Sequence, residues 1–457
     1  VLIERIHDLV LMGCPSARRN PALPRAQYRN VGNHHARQAL IASIRWNSQM
    51  VKQIAFTYAR DGAGGQPISA ENPSAPRAFF RLEASRPFAI PGISEPGRSA
   101  EFVPRHASKH SVKHTRIVVT HYGGPDALRV VEEERPEPKH GEVRVRVLAA
   151  GVSLPDLMMR EGIHPETPAL PFTPGWDLIG VVDRLGDGAS GVEPGQMVAA
   201  LPISGAYAEF VCLPQRELVP VPSELEPAEA VSLILNYVTA YQMLHRSAKV
   251  APGQRVLIHG AAGGVGTALL QLARLAALET YGTCSSANAR AVSDLGGIAI
   301  DYEHQDFVKE IQRLTGEGVD VVFDSIGGRH IWDSRKALRS GGTVVAYGLT
   351  GSLRGGRLAS GRSGGRHRFR AIAIFGVYIA GGWLLPGRRR VVPYSIQWLK
   401  RRRPGVFRQD LITLFDLFRQ KKIKPVIAAR FPLCEARRAH ELLGQGGVIG
   451  KVVLVGR

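Results

Sequence analysis

The run VLIHGAAGGVGTALLQLA, residues 256–273, narrows the choice of fold more than any other part of this chain. An apolar strand ends in small residues and a helix begins directly after them, so helix N–H groups and a partial positive charge face whatever anion sits there. The spacing is that of G-x-G-x-x-G with Ala261 in the first place, followed by Gly263 and Gly266. Gly263 lets the backbone approach a pyrophosphate, Gly266 lets the helix pack close on the strand, and Gly264 and Val265 complete the turn. Such turns also occur for packing alone, so the context decides. Downstream, ETYGTC, ANARAVSDLG, IAIDY, DFVKEIQRLTG, VDVVFDSIGG and GTVVAYG alternate strand with helix. This alternation predicts a parallel, doubly wound α/β sheet of the Rossmann kind, with a dinucleotide on the turn.

The choice of dinucleotide is made at the end of the second strand, where an acidic residue would accept hydrogen bonds from the ribose of NAD. Here Ser285 and Ser286 stand in that place and Arg290 is the nearest cation. Hydroxyl and cationic donors suit a 2′-phosphate, so the expected cofactor is NADP(H). The serines also suit a helix cap, a role compatible with the first.

Ahead of this region, from Arg116 to about Pro222, alternating positions such as Val143, Val145 and Val147 predict short strands of an antiparallel β domain. The expected division is 1–115, a low-order basic extension; 116–235, the first part of the β domain; 236–405, the nucleotide domain; and 406–457, a return to the β domain. Residues 1–114 interleave Pro, Gly, Ser and Arg without periodicity, and the composition predicts disorder. The formal charge is +20. Part of the excess sits in Arg388–Arg390 and Lys400–Arg403, read here as solvated surface, with a nucleic-acid or lipid surface as the alternative. The apolar run Ala371–Leu385 is interrupted by glycines and is expected to be buried strand and loop. Cys14, Cys212, Cys284 and Cys434 stand too far apart for a disulfide framework or a zinc spacing, and with no secretory pattern at the start a cytoplasmic setting is expected. His259, His304, His330 and His440 show no ligand spacing, and no G-x-S-x-G elbow occurs.

Several stretches fall in one collinear order: AAGVSLPDLMMREG, TPGWDLIGVVDRLGDGASGVEPGQMV, GAYAEF, LNYVTAYQML, the glycine turn, VDVVFDSIGG and GVIGKVVLV. Over about residues 116–457 the chain resembles the medium-chain dehydrogenase/reductases, nearest to their quinone oxidoreductase branch. The resemblance implies a GroES-like β domain built from both ends of this region, with the active site in the cleft beside the nucleotide domain. Zinc enzymes of the superfamily carry a Cys after the AAG segment and Gly-His-Glu where this chain has Gly175, Trp176 and Asp177; here the first position is Val152 or Ser153. No catalytic metal is therefore expected. The implied chemistry is hydride delivery from NADPH to a small electrophilic acceptor, a quinone or an α,β-unsaturated carbonyl. By the same resemblance Ser153 and Asp156 line the nicotinamide side, with a helix-capping role open for Asp156. Thr239 and Tyr241 lie near the nicotinamide, Tyr241 with packing as an equal alternative, and Ser325, Tyr347 and Gly348 stand at later strand ends. Tyr302 resembles an aromatic flanking the 2′-phosphate, and Asn288 occupies the place of a Lys common in the branch. Acceptor specificity is assigned to loops 162–172 and 351–367. A homodimer is one expected assembly. Relatives similar to synaptic-vesicle membrane proteins and to lens zeta-crystallin keep membrane lipid and RNA open as partners.

Overall fold

A computed structural model describes residues 112–348 and 388–456, all within the unit Pro104–Arg457. The extension 1–115 up to residue 111, the run Ala371–Leu385 and the loop 351–367 lie outside the described residues.

The first elements among the described residues form an antiparallel hairpin, β1 (Lys113–Val119) and β2 (Leu128–Glu134). β3 (Glu142–Val152) runs into helix α1 (Leu154–Arg160), followed by β4 (Leu178–Leu185), β5 (Met197–Ala200), β6 (Phe210–Pro214) and β7 (Val219–Pro220). A helical rod, α2, then spans 227–248, with α-helical Pro227–Ser232 and Val238–Gln242 each followed by a π-helical stretch. Its start is well specified: the Glu226 carboxylate accepts from the amides of Ala228 and Glu229, and Pro227 occupies the first turn, where no N–H is needed. The rod touches β3 and β4 at its start and the nucleotide-type domain further on, so it joins the two sheets.

The second sheet is built from β8 (Arg255–His259), β9 (Glu279–Cys284), β10 (Ile298–Asp301), β11 (Val319–Asp324), β12 (Leu338–Ala346) and β13 (Arg390–Pro393). Its order is β10-β9-β8-β11-β12-β13 and every neighbouring pair is parallel. This is the doubly wound order, with β8 at the switch point where ligands bind. Helices α3 (Gly264–Leu275), α4 (Ala289–Asp294), α5 (Phe307–Thr315) and α6 (His330–Lys336) connect the strands. β13 was not expected from the sequence, because its three apolar-to-proline residues follow directly on an arginine run that reads as surface.

Helices α7 (Ile396–Arg402) and α8 (Pro404–Arg419) follow, then β14 (Ile427–Pro432), α9 (Ala436–Gln445) and β15 (Lys451–Val455). The first domain's sheet thus has the order β14-β15-β3-β4-β5-β7, with β6 also on β3. The chain rejoins that sheet at Ile427 rather than at 406: α8 packs against α2, burying Phe407, Leu411, Leu414 and Phe415, and its Asp410 accepts from Gln242 Nε2 and Arg246 Nε, each at 2.8 Å. The basic run in α7 is also not simply solvated. Lys400 is largely buried, pairs with Glu217 and donates to the Leu201 carbonyl at 2.8 Å, while Arg401 holds both oxygens of Glu166 at 2.7 and 3.1 Å. α7 lies against the first domain, so these cations tie the two domains together.

Two fully buried histidines make the fold sensitive to acid. His259, on β8, and His440, on α9, are both lowered by burial from the ordinary 6.5 to about 3, with the Arg160 cation adding to the effect at His440. The unfolded chain takes up protons below pH 6.5 while the folded chain refuses them. Their stabilising contribution is therefore complete above pH 6.5 and is lost as pH falls towards 3, by up to about 1.4 kcal/mol per pH unit per histidine. Urea midpoints measured from pH 7 to 4 should fall accordingly, and His259→Gln should make that fall shallower; a profile flat to pH 4 would contradict this.

Candidate active site

The glycine turn is held from three sides. Gly263 caps α3 in extended backbone with no side-chain cap, so the first-turn amides keep their capacity for an anion. A methyl on Gly266 would collide with the carbonyls of Gly260 and Ala261, and one on Gly264 with the Asn236 side-chain amide of α2. Gly263 also forms a parallel bridge with Gly450, whose N–H donates to the Ala262 carbonyl at 2.8 Å. The residue before β15 therefore lies on the turn itself. Val265 is half-buried there.

At the neighbouring strand ends the structure gathers Ser325, Tyr347 and Gly348. The Ser325 hydroxyl donates to the His259 carbonyl at 3.2 Å, the Tyr347 N–H donates to the Asp324 carbonyl at 2.9 Å, and Gly348 lies so close on the Ser325 backbone that a Cβ would collide with it. Thr239 is buried on α2, where the neighbouring Gln242 accepts from the Tyr394 hydroxyl at 2.9 Å. Tyr241 packs against His245, ring centroids 4.5 Å apart.

The residues expected to read a 2′-phosphate lie together at the ends of β9 and β10, but not all are free to do so. Ser285 precedes the short turn Ser286–Asn288, and the Asn288 N–H donates to its carbonyl. The Ser286 hydroxyl donates to Asp301 Oδ2 at 2.5 Å. That bond and the one from His304, 2.7 Å away, hold the Asp301 carboxyl at about 2. Arg290 extends into solvent, 93% exposed, beside Asp294 at 3.8 Å. Tyr302 is exposed, and its N–H donates to the Cys284 carbonyl.

A second group escaped sequence reasoning because its members are 65 and 71 positions apart. His259, Asp324 and His330 converge on the Ser334 hydroxyl, which donates to Asp324 Oδ2 at 2.6 Å and lies 3.1 Å from His259 Nε2 and 3.4 Å from His330 Nδ1. The other Asp324 oxygen accepts from the Ile326 and Gly327 amides, both at 2.8 Å. The network fixes the loop carrying Ser325 under the glycine turn.

The third group contains Ser153 and Asp156, with two residues the sequence did not nominate. Asp156 accepts from the Ser153 amide and the Gly175 amide, each at 2.9 Å, as a residue in the first turn of α1 can. Lys451 Nζ donates to Ser153 Oγ at 2.7 Å and to Asp177 Oδ2 at 3.0 Å. Asp156 and Asp177 are 0% exposed, Lys451 3% and Ser153 7%. Burial, then the charge of Asp177, pushes Asp156 up to about 8, so it holds its proton at neutral pH; burial also raises Asp177, and Lys451 opposes that rise. One ammonium thus faces one carboxylate. A Cβ on Gly151 would collide with both Asp177 and Lys451, so the pair is closely packed. A lysine opening an apolar strand, KVVLV, was the available signal, but its partner lies 274 positions away. Removing the carboxylate alone, by Asp177→Ala, should cost about 3–5 kcal/mol in urea unfolding because a buried ammonium is left unpaired. Lys451→Met combined with Asp177→Asn should cost less than that single change, and a larger loss in the double variant would count against the pair.

Comparison with known proteins agrees with this architecture. Residues 139–223 match the alcohol dehydrogenase GroES-like domain, and residues 297–454 match the zinc-binding dehydrogenase model. The synaptic vesicle membrane protein VAT-1 homolog-like of Homo sapiens is 33% identical over 341 residues, covering 74% of this chain and 80% of that protein. The quinone oxidoreductase of Rattus norvegicus is 29% identical over 345 residues, covering 74% and 97%. Among solved structures, the human VAT-1 homolog-like protein superposes with a TM-score of 0.63 at 31% identity, covering 76% of this chain and 98% of that one. Mycobacterial Rv1454c complexed with NADPH superposes with a TM-score of 0.63 at 29% identity, covering 75% and 99%. On this combination of a GroES-like domain, a doubly wound sheet and these relatives, the chain belongs to the medium-chain dehydrogenase/reductase superfamily, in its quinone oxidoreductase-like branch.

Proposed function

We propose that this chain is an NADPH-dependent reductase that delivers hydride to a quinone or α,β-unsaturated carbonyl acceptor without a catalytic metal. The observation that carries the reading is the placement of the Lys451 cluster one residue from the glycine turn, through the Gly263–Gly450 bridge. Bound NADPH supplies the hydride. The chain's own work is to hold the diphosphate on the α3 amides, keep the nicotinamide beside Ser325, Tyr347 and Thr239, and present polar hydrogens to the acceptor oxygen. Trp176 supports the last point. Its indole N–H is buried with no hydrogen-bond partner among the described residues, and its ring meets His164 of the acceptor loop edge-on at 5.1 Å. A buried unpaired donor is available to an acceptor oxygen brought by a ligand or a water.

The family model's name implies zinc, and the residues present do not fit it. Of the positions that carry ligands in zinc enzymes, Ser153 offers a neutral hydroxyl and Trp176 offers no ligand atom. The space between Ser153 and the neighbouring Asp177 carboxylate is filled by the Lys451 ammonium, 2.7 Å from one and 3.0 Å from the other. A second cation there would meet the first without a free carboxylate.

The alternative of a lipid-binding protein rests on the similarity to synaptic vesicle membrane proteins and on the basic runs, and that of RNA binding on charge; two cations of the α7 run are already paired with Glu166 and Glu217. Among the described residues no helix is long and apolar enough to cross a membrane.

NADPH oxidation with a panel of quinones and enones tests the reading. Turnover should survive a chelator, and elemental analysis should find no stoichiometric zinc; one tightly held zinc per chain would refute metal independence. Trp176→Phe should raise KM for the acceptor roughly tenfold, the order expected for one lost hydrogen bond. Cofactor titrations address the 2′-phosphate. Arg290→Ala should weaken NADPH by about 1.5–3 kcal/mol and leave NADH nearly unchanged, whereas Asp301→Asn should strengthen NADPH by releasing Ser286 and removing a like charge. Equal shifts for both cofactors would remove these residues from phosphate recognition.

A further inference from the structure

We propose that Lys451 acts through the Ser153 hydroxyl to deliver the proton that accompanies the hydride, an inference that rests on the reductase reading above. A serine hydroxyl has one hydrogen to give and lone pairs to accept. In this structure Ser153 Oγ accepts from Lys451 Nζ at 2.7 Å, which leaves its own hydrogen for an acceptor molecule. The ammonium is held there by Asp177 at 3.0 and 3.4 Å.

The other acid in the cluster is poorly placed to be the donor. Both Asp156 oxygens are occupied by backbone amides, those of Ser153 and Gly175. Asp156 positions the Ser153 backbone; Lys451 positions and recharges its hydroxyl. The wider surroundings reinforce this division, since Tyr207 bonds His440 at 3.3 Å, which bonds Arg160 at 3.3 Å, away from Ser153.

The step balances as follows. NADPH loses a hydride and becomes NADP⁺, and the acceptor carbon framework gains that hydride with its two electrons. Negative charge develops on the acceptor oxygen. The Ser153 O–H bond breaks as an O–H bond forms on that oxygen, and an N–H proton of Lys451 passes to Ser153 Oγ. Lys451 is left as the neutral amine beside ionised Asp177 and regains a proton from solvent before the next turnover. An arginine in this place could keep the charge but could not release a proton, because its guanidinium does not deprotonate in proteins.

The test uses the full chain with NADPH and whichever quinone or enone it reduces best. Four variants are compared: Ser153→Ala, Lys451→Arg, the charge-balanced pair Lys451→Met with Asp177→Asn, and that pair combined with Ser153→Ala. Each should bind NADPH with a Kd within about threefold of the parent, a readout that also reports folding. Ser153→Ala and the charge-balanced pair should each lower kcat on the order of 100-fold, the range of a lost general acid. The triple variant should be no slower than either. Lys451→Arg should fold, bind NADPH and still lose kcat, together with the solvent deuterium isotope effect of the parent. Three results would overturn the relay: a triple variant whose loss is the product of the two separate losses, full activity in Lys451→Arg, or full activity in the charge-balanced pair. If the charge-balanced pair does not fold, Lys451→Arg against Ser153→Ala decides alone. A parent protein that binds NADPH yet reduces no acceptor would instead remove the reductase reading, and the relay with it.

Discussion

The hydrogen bond from the Gly450 N–H to the Ala262 carbonyl, 2.8 Å long, is the joint on which the rest of the site depends. Gly450 adopts φ +84°, a left-handed conformation that favours glycine, and the next residue begins β15. β15 pairs antiparallel with β3, Val452 opposite Val152, so the cofactor turn of one domain is locked in register with the sheet of the other. Because β3 leads directly into Ser153, the same pairing brings Lys451 onto that serine and onto Asp177.

Placing three ionisable side chains in a space with almost no solvent is costly unless charge is balanced. Here the balance comes from raising Asp156 until it is neutral, leaving Lys451 and Asp177 as a single hydrogen-bonded pair. The arrangement provides a fixed positive charge beside the Ser153 hydroxyl without recruiting one from solution. The close packing is local: Gly151 has no room for a side chain because the pair fills the space above it. The His259–Ser334–Asp324 network does comparable work on the other side of the glycine turn, but with neutral imidazole and a hydroxyl taking the place of an ion pair.

The residues expected to read a 2′-phosphate show a different kind of compromise. Ser286 was nominated as a phosphate donor from its position after the second strand, and its place in the fold is as expected. Its hydroxyl, however, is given to Asp301, which arrives from the third strand 15 positions later because β10 pairs with β9 in parallel, Asp301 beside Cys284. The residue's location followed from local pattern, while its partner followed from strand register.

Local chemistry was enough to read much of this molecule. The glycine turn and the strand and helix alternation depend on near neighbours in the chain, and they determined the doubly wound sheet and the positions of Gly263 and Gly266 within it, while Ser325 and Gly348 were reached through the family resemblance. The tertiary structure alone decided what those positions touch. It packed the apolar face of α8 against α2, made Lys400 a strut because α7 lies on the first domain, and brought His259 to Asp324 and Lys451 to Asp177. Each of these contacts joins residues from 65 to 274 positions apart. Hydrophobic period and turn chemistry act over a few residues, whereas the pairing of buried charges is set by which strands come to lie side by side.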